Sequence, residues 1–130
     1  MTVKPAAGFL KRLLACLRAD ASFSPCGLYR WELHRPVLRS SGDDGLRLLL
    51  FVGLNPSTAD GDRDDPTLRR LQAFARDWGY DQLVVLNLFG RISASPAALG
   101  RCRDPVGRCS DQVLRSWFGR WSGSPSWDLW

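Results

Sequence analysis

Phe51-Val-Gly-Leu-Asn-Pro-Ser-Thr-Ala-Asp-Gly-Asp-Arg-Asp-Asp-Pro-Thr67 is the stretch that decides how this chain is read. The apolar run Leu48-Leu49-Leu50-Phe51-Val52 stops at Gly53. Asn55, Ser57, Thr58, Asp60, Asp62, Asp64 and Asp65 then crowd one loop, and a helical pattern starts at Pro66. A buried strand that feeds a polar loop and then a helix is where open α/β sheets place ligands.

Downstream, the helix is expected over about 66–78. Pro66 suits its first position and Asp64 or Asp65 its cap. Leu68, Leu71, Ala75 and Trp78 form the apolar stripe, with Arg69, Arg70 and Arg76 off it and Gly79 as the stop. Gln82 to Phe89 reads as the next buried strand, and strand-helix-strand order implies a right-handed crossover and a parallel pair. Residues 90–107 read as a long loop with one helical turn. Residues 110–121 regain helical spacing through Val113, Leu114, Trp117, Phe118 and Trp121, with Ser110 or Asp111 as cap. A Ser/Gly/Pro linker at 122–126 leads to Trp127-Asp-Leu-Trp130, which reads as the start of a further strand.

Upstream, residues 28–35 alternate, with Tyr29, Trp31 and Leu33 on one side and Arg30, Glu32 and His34 on the other. Pro36 suggests an edge position. The cluster at 40–45 is a turn, so this strand and 46–52 are expected to form an antiparallel pair. Leu10, Leu13, Leu14 and Leu17 give residues 7–19 the stripe of a helix packed on the sheet. The expectation is a single α/β domain over 1–130, three-layered, with a mixed, mainly parallel sheet. It divides into an N-terminal helix and linker (1–25), a core (26–121), and a linker with the start of a strand (122–130). An apolar tetrapeptide at the end reads as a cut, so C-terminal truncation is also expected.

The composition is that of an ordinary soluble domain, 45% hydrophobic and 24% charged. No apolar run approaches the roughly 20 residues of a membrane span. Lys11 and Arg12 break the N-terminal apolar stretch, so it does not read as a secretory signal; a cytoplasmic location and no membrane partner are expected. Cys16, Cys26, Cys102 and Cys109 form no C-x-x-C pair, and the single histidine, His34, lies far from them in sequence, so reduced thiols are expected and no zinc site. Net charge is +5, and among the basic residues only Lys4 and Lys11 are lysines. An arginine excess fits phosphate contacts, and it fits a GC-rich coding sequence equally.

Several chemistries fail at the loop. Gly53-Leu-Asn-Pro-Ser-Thr58 lacks the Gly-Lys-Ser/Thr ending of a P-loop and the three glycines of a dinucleotide fingerprint. Asp60-x-Asp62-x-Asp64 opens like a calcium loop, but Asp65 stands where that loop needs Gly and Leu71 where it needs Glu. Asp60, Asp64 and Asp65 leave a metal-assisted hydrolase open as an alternative, beside capping of the helix and complementing of its dipole. Ser57 and Thr58 have no base partner, since His34 reads as a surface strand residue. What remains is amide chemistry. Asn55 and Asn87 end neighbouring strands, and an amide can orient a water, read a base edge, or simply tie its own loop.

Three segments together resemble an uncharacterised bacterial family, domain-of-unknown-function family 1643. They are Cys26-Gly-Leu-Tyr-Arg-Trp31; Leu54-Asn-Pro-Ser-Thr-Ala-Asp60 with Asp64-Asp-Pro-Thr-Leu-Arg-Arg70; and Trp78-Gly-Tyr80 with Val85-Leu-Asn-Leu-Phe89. The resemblance covers roughly residues 26 to 111. The chain departs from the family pattern at Arg108-Cys109-Ser110, where acidic and Asn residues are usual. It also ends before the Pro-x-His-Pro-like segment to which members typically continue. A second resemblance lies behind the first. Gly53-Leu-Asn-Pro56 is similar to the Gly-x-Asn-Pro motif of mismatch-type and single-strand-selective uracil-DNA glycosylases, and Val85-Leu-Asn87 with Arg91 to their base-reading strand.

That second resemblance implies a uracil-DNA glycosylase-like fold and recognition of a nucleobase or nucleic acid with N-glycosidic hydrolysis. DNA or a nucleotide is the implied partner, and no cofactor is implied. In this reading Asn55 and Asp64 are catalytic, Asn55 by orienting water. Asn87 reads the base, with Gly53, Pro56, Ser57, Thr58, Asp60, Asp65 and Arg91 also binding substrate. Arg69 and Arg70 contact phosphate. A non-catalytic nucleic-acid or protein binding module, truncated or degenerate, is the alternative.

Overall fold

The computed structural model describes residues 19–37 and 47–130. The helix expected over 7–19 and the turn at 40–45 lie outside the described residues, apart from Arg18's neighbour Ala19 at the helix's last position. The elements in chain order are β1 (Asp20–Phe23), β2 (Arg30–Pro36), β3 (Leu48–Gly53), α1 (Pro66–Asp77), β4 (Gln82–Asn87), α2 (Pro96–Gly100), α3 (Ser110–Ser122) and β5 (Trp127–Leu129). The strands form one mixed sheet in the order β1-β2-β4-β3-β5.

β3 and β4 are the centre. They run parallel in register from Leu48↔Gln82 to Gly53↔Asn87. Both read as unbroken apolar runs because helices cover both faces of the sheet. On one face Leu33, Leu49, Leu83 and Val85 pack with Leu68, Leu71 and Ala75 of α1. On the other, Leu48, Leu50, Val84 and Leu86 pack with Leu114 and Trp117 of α3. Burying one such side chain is worth about 1.5–3 kcal/mol, so these two layers dominate what holds the sheet together.

The crossover helix forms for the reasons its sequence suggests. Asp65 is the N-cap, its Oδ1 accepting from the Leu68 N–H at 2.7 Å, and Pro66 takes the first turn, where no N–H is needed. The helix stops at Gly79, whose φ of +82° suits a residue without Cβ, and the Tyr80 N–H reaches back to the Ala75 carbonyl. Trp78 departs from expectation: it is 47% exposed, not part of the core stripe. It stacks on Phe74 and meets Trp130 edge-on, forming an aromatic ledge that reaches Phe51 through Trp130.

The sheet order corrects three expectations. β2 does not pair with β3; β4 lies between them and pairs antiparallel with β2. β2 is not an edge strand, because β1, which has no clear signature of its own, pairs along its other side. Pro36 is accommodated at the last position of the strand, opposite Gln82. The parallel pairings, β3–β4 and β3–β5, are matched by antiparallel ones, β1–β2 and β2–β4, so the sheet is evenly mixed and not mainly parallel. Trp127–Leu129 does form a strand, parallel to β3. α3 begins after Cys109, a left-handed residue (φ +72°) with no side-chain cap; Ser110 lies inside the first turn and does not cap it. Among the described residues, no helix is long and apolar enough to cross a membrane.

Candidate functional site

The register that puts Gly53 beside Asn87 brings the two loops leaving β3 and β4 to one rim of the sheet. They are zipped together: Leu88 N–H to Gly53 O, Phe89 N–H to Leu54 O, and Ser93 N–H to Pro56 O, each at 2.9 Å. Asn55 adds the clasp. Its Nδ2 donates to Ser93 O at 3.0 Å and to Pro56 O at 3.1 Å, which leaves Oδ1 as the acceptor. Between these loops and α1 lies a cavity of about 350 Å³, at the lower end of small-molecule sites. Leu33, Phe51, Leu68, Leu71 and Val85 give it apolar walls; Arg30, Asn55, Ser57, Asp65, Thr67, Asn87, Ser93 and Ser95 supply polar groups.

Of the residues singled out by sequence, Gly53, Asn55, Ser57, Asp65 and Asn87 meet at this cavity. Asn87 is buried at the end of β4, with Oδ1 accepting from Arg30 Nη2 at 3.2 Å. Its Nδ2 has no acceptor among the described residues. A Cβ on Gly53 would stand 3.1 Å from that Nδ2 and 3.2 Å from Phe51 Cε1, so the missing side chain is what lets the amide lie against β3. Asp65 does two things at once: beside capping α1, it accepts the Ser57 hydroxyl on Oδ2 at 2.7 Å.

The other singled-out residues do not line the cavity. Asp64 is held by Arg35 Nε and by Gln72 Nε2, each at 2.9 Å. Burial works against its charge, but the hydrogen bonds from Gln72 and Arg35 and the Arg35 charge hold its carboxyl below the ordinary value. Asp60 folds its own loop, accepting the Asp62 and Arg63 N–H groups, and those bonds lower its pKa. Pro56 is buried beneath the loop and Thr58 is exposed on it. Arg69 and Arg70 are exposed on α1, while Arg91 lies over the Tyr29 ring. Asp60, Asp64 and Asp65 therefore spend their carboxylates on separate partners. Among the described residues, no group of three or more His, Cys, Asp or Glu is placed to hold a metal ion. His34, read as a surface residue, is half-buried, tilted against Trp117 and 3.5 Å from the Glu32 carboxylate.

The residue that sequence reasoning missed is Arg30, assigned to the outward side of its strand. The β1–β2 register shifts between Ser22, opposite Glu32, and Phe23, opposite Arg30. The irregularity breaks strict alternation and turns Arg30 to the same face as Leu33. Arg30 is only 5% exposed. Nη1 donates to Ala59 O at 2.9 Å and Nη2 to Asn87, and the buried Nε has no partner among the described residues. Burial pulls its pKa down to about 10, opposed by the charge of Asp65 and aided by that of Arg35, so it remains a cation at neutral pH.

The family model described as "Protein of unknown function (DUF1643)" covers residues 30–124, a span that holds every residue lining the cavity. No curated protein and no solved structure matches the chain.

Proposed function

This chain belongs to the DUF1643 family, and we propose that its cavity recognises a nucleobase and acts on the N-glycosidic bond that carries it. The observation that carries the reading is the convergence of two amides, Asn55 in the loop after β3 and Asn87 at the end of β4, on one half-apolar cavity. The resemblance of Gly53-Leu-Asn-Pro56 and Val85-Leu-Asn87 to uracil-DNA glycosylase motifs supports it.

A base unstacked from its strand enters with its ring against Phe51, Leu71 and Val85 and its polar edge at Asn87. Asn55, fixed through both donor bonds, offers Oδ1 to a water molecule and orients it. That water attacks C1′ of the sugar. The C1′–N bond breaks, the new C1′–OH keeps one proton, and the base departs with the other. Asp65 is the carboxylate at the cavity wall and stands nearest in role to the electrostatic partner of the positive sugar that develops; Asp64, in the grip of Arg35, is outside the wall. Arg69 and Arg70, exposed on α1, suit contact with the phosphate backbone.

One observation favours a non-catalytic binding module instead: both oxygens of Asp65 and both Nδ2 donor bonds of Asn55 are engaged within the protein. The two readings part in a base-release assay on oligonucleotides bearing uracil, hypoxanthine or damaged bases. The catalytic reading expects free base without added metal, and at least about a hundredfold loss in Asn55→Ala, the scale of removing one preorganised polar group. Binding with a steep salt slope and no product would leave the binding module. Neither binding nor release would sink both.

A further inference from the structure

The cavity has an unusual wall for a site built on an amide. A lone Asn presents a donor and an acceptor side by side. Here Asn87 Oδ1 already accepts from Arg30 Nη2, so what the amide has left for a ligand is its donor, Nδ2, which lies beside Gly53 at the cavity. The guanidinium beside it has five N–H donors and is only 5% exposed. Among the described residues it has two acceptors, Ala59 O and Asn87 Oδ1, and Nε has none. Among the described residues no carboxylate lies in contact with it; Asp65 acts on it through its charge. A buried cation with unsatisfied donors is costly unless something answers it. Arg30 and Asn87 both line the cavity, and Nη1 and Nη2 each keep a second N–H beyond the bond they make, so the wall these residues form sets donors beside Asn87 Nδ2.

We infer that this wall selects a base whose edge is acceptor next to acceptor, a 6-oxopurine such as hypoxanthine or guanine, over a base that presents an amino group there. Of the two purine types, the 6-oxopurine offers two adjacent acceptors, O6 and N7, where adenine pairs N7 with an N6 amino donor; cytosine's adjacent O2 and N3 sit beside its amino donor on the Watson–Crick edge, and the oxygens of thymine or uracil are separated by N3–H. The inference rests on the reading of the cavity as a nucleobase site and deepens it by naming the class. Arg30 is its specificity residue, with Asn87 as the neighbour whose acceptor it occupies and whose donor it frees.

The experiment is calorimetric titration of the full chain with hypoxanthine, adenine and 7-deazahypoxanthine. Hypoxanthine is expected to bind at least about tenfold more tightly than adenine, the lower range for a good bidentate base contact. The 7-deaza analogue, with no N7 acceptor, is expected to fall towards adenine. Arg30→Gln, which places an acceptor beside the remaining donor, is expected to bring hypoxanthine and adenine within about twofold of each other. Equal binding of hypoxanthine and adenine by the unaltered chain would overturn the assignment of Arg30 while leaving the nucleobase site standing. Undiminished binding of the 7-deaza analogue would do the same without any variant, so the result does not depend on Arg30→Gln folding. Binding of none of the three would overturn the nucleobase reading itself.

Discussion

Replacing Arg35 by Met should release the Asp-rich loop while leaving the sheet intact. Arg35 is buried on β2, and its guanidinium holds residues 60–64 from below. Nε donates to Asp64 Oδ1 at 2.9 Å, Nη2 to Arg63 O at 3.1 Å and to Asp60 O, and Nη1 to His34 O at 3.0 Å. Hydrogen bonds to a charged group are worth about 1.5–3 kcal/mol each, and removing one partner of a buried pair costs about 3–5 kcal/mol. The orphaned groups are not deeply buried: Asp64 is exposed and regains water, as do the loop carbonyls. The expected loss is therefore at the low end, about 3 kcal/mol, and Met keeps the apolar stem in place. For a domain of this size that is roughly a 10 °C fall in melting temperature. Urea titration followed by circular dichroism measures it, and amide exchange at Asp62 and Arg63 should accelerate, since Asp60 no longer has a fixed carbonyl to fold around. The sign with pH follows from Asp64. Its pKa is depressed in the fold, so its contribution is present above the ordinary carboxylate value and lost as pH falls through the folded one. That acid-dependent loss should shrink in Arg35→Met. A cost below about 1 kcal/mol, or unchanged exchange at both amides, would refute the account of Arg35 as the loop's clamp.

Further outcomes follow from single contacts. Gly53→Ala puts a methyl 3.1 Å from Asn87 Nδ2; displacing that amide should weaken base binding about tenfold, at a stability cost near 1 kcal/mol, read by calorimetry and thermal melting. Asp65→Ala removes the α1 cap and the acceptor for Ser57 together, and should cost about 1–2 kcal/mol in urea denaturation, where Asp65→Asn should recover most of it. Tyr80 donates to the Asp128 carboxylate on β5. Burial, then that hydrogen bond and the Asp128 charge, push its phenol up to about 12. The neutral phenol is the favoured form in the fold, so its stabilisation is intact below the ordinary tyrosine value and is lost as pH rises through about 12. Tyr80→Phe should remove that alkaline step from the stability profile, while an unaltered profile would argue against the Tyr80–Asp128 tie.

What was legible in the sequence was local. The β3-loop-α1-β4 unit declares itself because each of its signals lies within a few residues of its effect: Asp65 before Pro66, Leu68 three residues before Leu71, Gly79 after the last turn. Pairing is not local. Nothing in residues 30–36 says that their partner is β4, over forty residues away in the chain, when the nearer β3 is also apolar; that choice is made by the right-handed crossover, which places β4 beside β3 and leaves its other edge open to β2. The same limit hid Arg30. Alternation assigned it to the outside, and only the one-residue irregularity opposite Ser22 and Phe23 turns it inward. At the loop, the density of aspartates suggested shared chemistry, yet each carboxylate is claimed by a different partner: a turn for Asp60, Arg35 and Gln72 for Asp64, the helix N-terminus and Ser57 for Asp65. Asn87 was legible because an amide inside an apolar strand requires a partner, and Arg30 is that partner.

The central claim is that Asn87 Nδ2 reads a base in this cavity, and Asn87→Asp tests it most directly. The substitution keeps an oxygen for Arg30 Nη2, so the fold is retained, but it exchanges the free donor for an acceptor. Calorimetric titration with hypoxanthine should show saturable binding by the unaltered chain and at least about a tenfold loss in Asn87→Asp, with the melting temperature unchanged or raised. Equal affinity in the two proteins, or no saturable binding in either, would contradict the account.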